Sequence, residues 1–253
     1  MKVYLMANDW PGCEVAKFLL KSGDTIERLY LHEPDKIKFK EDLIKSARVS
    51  EQQIYQWDVV KDSSHLKSIR DAPPDFIITV FWSHLLKHDF FGLAKNTLNF
   101  HLALLPVNRG WYPHVHSIID GSSIGVTLHQ IDKGVDTGHI WAQKEIFLQD
   151  IETAYEIYHR LQKEIVSLFR EKWDSIKNGR IVPKPQIHSN ANYHKITEIN
   201  QLDHIDLSKH YNGEYFLNLL RARSFGTKGF AFVKKNGKKI YLNLRLSETS
   251  NFK

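Results

Sequence analysis

A single cysteine, Cys13, stands among 253 residues, so no intramolecular disulfide can form and no cysteine-based metal site is available. A reducing cytoplasm is the expected setting, and Cys13, inside an expected helix, reads as a small buried side chain. Long apolar runs are also missing. None approaches the roughly 20 residues of a spanning helix, so no membrane partner is expected. The opening segment Met1–Ala7 turns polar at Asn8-Asp9, too short an apolar stretch for a secretory signal. Dense charge is scarce as well. The net charge of +6 favours phosphate-bearing partners, yet the basic residues are scattered. The one run, Lys234-Lys235-Asn236-Gly237-Lys238-Lys239, straddles a turn and reads as a solvated hairpin tip, so no nucleic-acid partner is expected. Internal repeats and low-complexity tracts are absent.

What the chain does contain is an alternation of strand-like and helix-like segments. Residues 2–7 read as a buried strand, and Pro11 opens a helix through Leu20 that Gly23 follows. A strand over 26–31, a helix over 39–48, a short strand over 53–57 and a helix over 63–70 come next. After Pro73-Pro74, the run Asp75-Phe76-Ile77-Ile78-Thr79-Val80-Phe81 has the apolar, β-branched pattern of a strand covered on both faces. Further strands are expected over 97–101, 125–131 and 140–146, with helices over 113–120 and 150–177. The last of these carries one apolar stripe from Ala154 to Trp173. This order implies an α/β fold with a mostly parallel sheet between helices.

Composition shifts at Ile181-Val182-Pro183-Lys184-Pro185, which places a main domain over 1–185 and a smaller region over 186–253. That region holds a helix over 214–223 and two strand-like runs, 229–235 and 238–246, joined by Asn236-Gly237, a strong hairpin signal. A lone hairpin is marginal in water, so it must pack on the main domain or on a second copy of the chain, and a homodimer is expected.

Three polar side chains stand at strand ends, where an open α/β sheet gathers its ligands. Asn99 and His101, two apart on one strand, share a face. Asp136 lies in a loop with glycines at 134 and 138. Each has an ordinary alternative: a satisfied histidine, a local backbone partner, a turn aspartate. The surrounding text changes that balance. Leu98-Asn99-Phe100-His101 running to Leu105-Pro106, followed by Gly125-Val126-Thr127 and by Asp132-Lys133-Gly134-Val135-Asp136-Thr137-Gly138, resembles the two signature blocks of folate-dependent formyltransferases, in the same order and spacing. The likeness covers about residues 1–180.

The resemblance implies a Rossmann-like formyltransferase fold with a small C-terminal hairpin appendage. It also implies an enzyme that moves a formyl group from N10-formyltetrahydrofolate, its co-substrate, to an amine. No metal is expected: His84 and His88 would be four apart on a helix, but no third ligand is evident. Such acyl transfer needs a donor for the developing oxyanion, which Asn99 can supply, and a group that moves a proton, which His101 can be. His101 can take the proton of the attacking amine or protonate the departing folate nitrogen. Asp136 would favour the imidazolium. In the family, Phe81, Trp82, Ser83, His84, Leu85 and Leu86 would line the folate slot, with Asp132 and Gly134 closing its other side.

Among acceptors, the short C-terminal region and the Asn108-Arg109-Gly110-Trp111-Tyr112-Pro113 loop look most like the members acting on nucleotide-linked amino sugars, with dTDP-4-amino-4,6-dideoxyglucose favoured. The product of such a reaction would serve surface polysaccharide (O-antigen) assembly. Asn8, Trp10, Arg109, Trp111 and Tyr112 are the candidate contacts to that substrate: an arginine for a diphosphate, aromatic rings for a base or sugar. Methionyl-tRNA and glycinamide ribonucleotide are the alternative acceptors. A non-catalytic folate or nucleotide binder on the same fold is the alternative of another class.

Overall fold

The computed structural model describes residues 1–247; the end of the expected C-terminal region, 248–253, lies outside the described residues. In chain order the elements are β1 (Lys2–Ala7), α1 (Asp9–Lys21), β2 (Thr25–Leu31), α2 (Lys40–Ala47), β3 (Ile54–Gln56), α3 (Ser63–Asp71), β4 (Phe76–Val80), α4 (His88–Phe91) and β5 (Asn96–His101). Then come β6 (Arg109–Gly110), α5 (Pro113–Asp120), β7 (Ile124–His129), β8 (Ile140–Ile146) and α6 (Ala154–Lys177). The chain continues through β9 (Tyr193–His194), α7 (Glu198–Asp203), α8 (Gly213–Ala222), β10 (Ser224–Phe225), β11 (Lys228–Gly229), β12 (Phe232–Lys235) and β13 (Lys238–Tyr241).

Seven strands make one sheet in the order β3-β2-β1-β4-β5-β7-β8. β1 to β5 pair in parallel, and β7 runs antiparallel to β5. This is the mostly parallel α/β sheet that the alternation of segments implies. The order reverses direction between β1 and β4, which makes their carboxyl ends the crevice where ligands collect in such sheets.

Two compact units share the chain. The first comprises Met1–His101, Thr127–Gln143 and Ile165–Gln186; the second comprises Leu102–Val126, Lys144–Glu164 and the described residues from Ile187 on. In the first unit β1 is buried from Val3 to Ala7, which explains why its sequence is continuously apolar rather than alternating. Tyr4 and Met6 pack with Tyr30, Ile69, Ile77 and Phe90 on one side of the sheet. On the other, Phe100 meets Phe169 with ring centroids 5.2 Å apart, and Phe76 meets Trp173 at 4.9 Å. The buried Asp24 is tied down by three donors: the Met1 amino group at 3.0 Å, Trp173 Nε1 at 2.7 Å and Lys177 Nζ at 3.3 Å.

In the second unit Ile205, Leu219 and Ala231 form a core that Ile119, Phe216, Val233 and Leu242 extend. The hairpin β12–β13 forms as expected and packs into this core through Val233. Its second strand ends at Tyr241 rather than near 246. Leu242 still donates its N–H to the Ala231 carbonyl in the register of the hairpin, and beyond it the Asn243 side chain donates to the carbonyls of Gly226 and Lys228, where the ladder has ended. Helix α6 starts at Ala154 rather than 150, because Thr153 and Glu156 form a cap. The Glu156 carboxylate accepts from the Thr153 N–H at 2.9 Å, which satisfies a helix-end donor. Arg221 donates to the carbonyls of Glu152 and Gln149, and Arg223 to Asp203, so both act as ties within this unit.

Candidate active site

Alternation along β5 decides which side chains reach the site. Phe100 turns into the core, while Asn99 and His101, two residues apart, share the opposite face. In the sheet register Asn99 lies beside Thr79 of β4 and His129 of β7. These neighbours fix the Asn99 amide. Thr79 Oγ1 donates to Asn99 Oδ1 at 2.5 Å, and Asn99 Nδ2 donates to His129 Nε2 at 2.9 Å. The other ring nitrogen of His129 donates to the Gln130 carbonyl at 2.6 Å. In this pairing Nε2 of His129 accepts and Nδ1 carries the donated proton. The second N–H of Asn99 has no partner among the described residues, which leaves it for a ligand.

Asp136 enters from the loop between β7 and β8. One of its carboxylate oxygens lies 3.5 Å from His101 Nδ1 and the other 3.5 Å from His129 Nε2. The two imidazole rings stand nearly perpendicular, 6.1 Å apart. All three catalytic candidates are thereby brought into one cluster at the carboxyl end of β5. His101 is 7% exposed, dry enough that the charges there are poorly screened.

The loop that carries Asp136 is held at several points. Asp132 Oδ1 accepts from the Gly134 N–H at 2.9 Å and from Thr137 Oγ1 at 2.5 Å. Asp132 and Gly134 therefore shape the loop. At its end, a Cβ on Gly138 would sit 1.9 Å from the Gln130 carbonyl oxygen, so only glycine fits. Gln186 Nε2 donates to the carbonyls of Asp136 and Gly138, both at 2.8 Å.

The segment after β4 turns sharply, with Phe81 at φ +55°. Phe81, Trp82 and His84 are half-buried and Ser83 is exposed. Leu85 is 78% exposed, whereas Leu86 packs against the core around Tyr30. The indole Nε1–H of Trp82 is buried without an acceptor among the described residues. Half-buried aromatic faces, an exposed leucine and a spare donor fit a flat heterocycle with polar edges.

His84 has two neighbours that its place in the sequence conceals. Its Nε2 lies 2.9 Å from Glu33 Oε2, with His32 Nδ1 at 3.4 Å from the same oxygen. These three groups could hold a cation. They are already satisfied as a hydrogen-bonded set: Lys36 donates to Glu33 Oε1 at 2.8 Å, His84 stacks on Trp57, and His32 stacks on Trp82. Burial also holds the His32 imidazole below its ordinary pKa. His88, the partner considered from spacing, meets Phe91 edge-to-face instead.

The candidate substrate contacts fall in both units. In the first, the Asn8 side chain is used internally. Its Oδ1 accepts from the Asp9 and Lys38 N–H groups, and its Nδ2 donates to the Lys36 carbonyl, so it caps α1 and secures the 36–38 loop. Trp10 is half-buried in the first turn of α1. In the second unit Arg109 is buried, and Trp111 and Tyr112 are exposed with ring centroids 6.0 Å apart. Arg109 and Gly110 form β6, which pairs in parallel with β9. Gly110 has φ +88°, and a Cβ there would lie 2.4 Å from the His194 carbonyl.

Three residues of this cluster escape the sequence motifs. Thr79 leaves a faint signal, a lone hydroxyl within an apolar strand. His129 leaves another, an imidazole at a strand end. Gln186 leaves none, since it is 50 residues from Asp136 in the chain.

The chain matches the formyl transferase family over residues 33–171 and the N-formyltransferase dimerization C-terminal domain over residues 198–248. It is 36% identical over 151 residues to the dTDP-4-amino-4,6-dideoxyglucose formyltransferase of Mycobacterium bovis, covering 59% of this chain and 64% of that one. It is 30% identical to the methionyl-tRNA formyltransferase of Thermodesulfovibrio yellowstonii over 88% of this chain and 74% of that one. In fold it resembles a 4-N formyltransferase from Francisella tularensis, with a TM-score of 0.84 over 98% of each chain at 23% identity. It also resembles the formyltransferase PseJ from Anoxybacillus kamchatkensis, solved in complex with UDP-4,6-dideoxy-4-formamido-L-AltNAc and tetrahydrofolate. The TM-score there is 0.61, at 25% identity, over 88% of this chain and 98% of that one.

Proposed function

Because the chain belongs to the formyl transferase family, we propose that it transfers a formyl group from N10-formyltetrahydrofolate to the amine of a nucleotide-linked amino sugar, with dTDP-4-amino-4,6-dideoxyglucose the favoured acceptor. One observation carries this reading: a carboxamide, an imidazole and a carboxylate converge at the carboxyl end of β5, with Asp136 3.5 Å from His101. The sugar acceptor draws support from the Mycobacterium bovis relative and from the nucleotide-sugar ligand of PseJ.

N10-formyltetrahydrofolate would supply the formyl carbon, and the segment Phe81–Leu86 with the 132–136 loop would hold it. The residues of the cluster then divide the work. The spare N–H of Asn99 donates to the formyl oxygen as negative charge grows there; a donor of this kind is worth about 10²–10³ in rate. His101 takes up the proton that the attacking amine must lose, or returns one to the leaving nitrogen. Asp136 stabilises the imidazolium while the proton is held. Near 3.5 Å in a poorly solvated site this attraction amounts to several kcal/mol at an effective dielectric of about 20. Arg109 is suited to the diphosphate, and Trp10, Trp111 and Tyr112 to the base or sugar.

With this reading go a homodimer formed through the C-terminal region, in line with the dimerization domain matched over 198–248, a cytoplasmic setting, and a product destined for surface polysaccharide. Methionyl-tRNA stands as the second acceptor, because the tRNA-formylating relative matches most of this chain. The deciding experiment incubates the purified protein with N10-formyltetrahydrofolate and a panel of dTDP- and UDP-linked amino sugars, methionyl-tRNA and glycinamide ribonucleotide. A formyl mass gain on an amino-sugar nucleotide is the expected result. Gain on the tRNA alone would replace the acceptor, and no gain on any amine would remove the activity.

A further inference from the structure

The stretch after α6 begins as a connector by composition and ends as part of the sheet edge. Lys184 exchanges two backbone hydrogen bonds with Ile140 of β8: Ile140 N–H to the Lys184 carbonyl at 2.7 Å, and Lys184 N–H to the Ile140 carbonyl at 2.9 Å. Pro183 and Pro185 flank it. Neither has an N–H to satisfy, and each fixes its own φ, so the three residues form a stiff strap with its one donor aimed at β8. The strap delivers Gln186, which is 6% exposed, to the loop that carries Asp136.

There the amide of Gln186 bridges two carbonyls of the loop. A carboxamide nitrogen has two N–H groups, and Gln186 Nε2 gives one to the carbonyl of Asp136 and one to that of Gly138, each at 2.8 Å. The clamp closes on a backbone that needs support. Asp136 is held at φ +52°, the left-handed region that a residue with a Cβ enters at a cost unless its surroundings impose it. The other ties of the loop, from Asp132 to Gly134 and Thr137, act on its outer part. The strap acts on the Asp136 carbonyl itself.

We propose that Gln186 is a positioning residue, which by bridging the carbonyls of Asp136 and Gly138 holds the Asp136 carboxylate between His101 and His129. This rests on the reading of Asp136 as the partner of a proton-carrying His101. It extends the site to a residue outside both sequence blocks, and it makes the Pro-Lys-Pro-Gln segment part of the machinery rather than a spacer.

The test combines kinetics with a readout that needs no turnover. Gln186→Leu keeps the volume and removes both donors. Gln186→Asn keeps a buried amide one methylene too short to bridge both carbonyls, and serves if the leucine variant folds poorly. Both variants should lower kcat about tenfold to hundredfold, the range for losing two buried hydrogen bonds, with little change in the KM of either substrate. In the Asp136→Asn background the Gln186 substitution should have no further effect on kcat, because the carboxylate it positions is gone. Independently, the imidazole of His101, which faces Asp136 and His129, is followed by nitrogen NMR through a pH titration. Its midpoint should fall in Gln186→Leu or Gln186→Asn in the same direction as in Asp136→Asn. If Asp136→Asn moves the midpoint and the Gln186 variants do not, or if they slow both backgrounds equally, the clamp is wrong and the reading of Asp136 stands. If Asp136→Asn itself leaves both kcat and the midpoint unchanged, the reading of Asp136 fails and the clamp falls with it.

Discussion

The side-chain amide of Asn99 donates to Nε2 of His129 across the β5–β7 pair at 2.9 Å. With Thr79 donating to the amide oxygen from the other neighbouring strand, the carboxamide is held by one partner on each side. A donor for a developing oxyanion acts best when it is already oriented before the charge appears.

Losing that orientation should be measurable apart from losing the donor. Thr79→Val, close to isosteric, removes the hydroxyl and lets the Asn99 amide turn. The expected drop in kcat is about three- to tenfold, the worth of one neutral hydrogen bond, with substrate KM values little changed. Asn99→Ala removes the donor itself and should cost about 10²–10³-fold. Steady-state kinetics on the two variants checks the order; an equal loss in both would mean that Thr79 does more than orient the amide.

His101→Ala should leave the fold intact, since its neighbours on β5 carry the core contacts, and should lower kcat by about 10²–10⁴-fold, the range for a lost acid–base group. Asp136→Asn keeps the shape and removes the charge that lies 3.5 Å from His101 Nδ1. It should lower kcat and move the acidic limb of the pH–rate profile to lower pH, because an imidazolium without its carboxylate gives up its proton more readily. Circular dichroism establishes folding, and the rate profile between pH 5 and 8 tests the coupling. An unmoved limb would separate Asp136 from the proton chemistry.

Local signals made much of this architecture legible. The continuous apolar run of β4, the Asn236-Gly237 turn and the glycines of the 132–138 loop each have a direct physical meaning in sequence. Asn99 and His101 could be assigned to one face because the strand period is two. What stayed hidden depends on contacts between segments far apart in the chain. No period or motif ties Gln186 to Asp136, or His84 to Glu33. Asn8 carries a structural role that its motif context hides. Its place after β1 invites a ligand, yet it spends its side chain on the cap of α1 and on the 36–38 loop, a local role equally open to any asparagine before a helix.

The ties around Asp24 predict where stability is concentrated. Its carboxylate is buried with Trp173 Nε1 at 2.7 Å and Lys177 Nζ at 3.3 Å. Asp24→Ala strands these two donors and the Met1 amino group, and the Lys177 ammonium is largely buried. Breaking a buried pair from one side typically costs about 3–5 kcal/mol. Urea unfolding should show the loss; a change within about 0.5 kcal/mol would mean that water replaces the carboxylate fully.

Acid should weaken the second unit through His114. This imidazole is buried beside Tyr158, 5.3 Å between ring centroids, and its Nδ1 has no partner among the described residues. Burial above all, then the charges of His116 and Arg223, pushes its pKa down to about 3. The unfolded chain would bind that proton near pH 6.5. Because the folded value is the lower one, the unfolded state holds more protons between about pH 6.5 and 3, and stability in that window falls as pH falls. Above pH 6.5 the ring is neutral in both states and the effect vanishes. The slope is at most about 1.4 kcal/mol per pH unit for one proton. His114→Phe, which keeps a ring in the site and cannot charge, should flatten the dependence between pH 6 and 4 relative to the unmodified chain. Denaturant melts across that range measure it directly, and parallel curves for the two proteins would assign the acid sensitivity elsewhere, with His116, also pushed down to about 4, the next residue to replace.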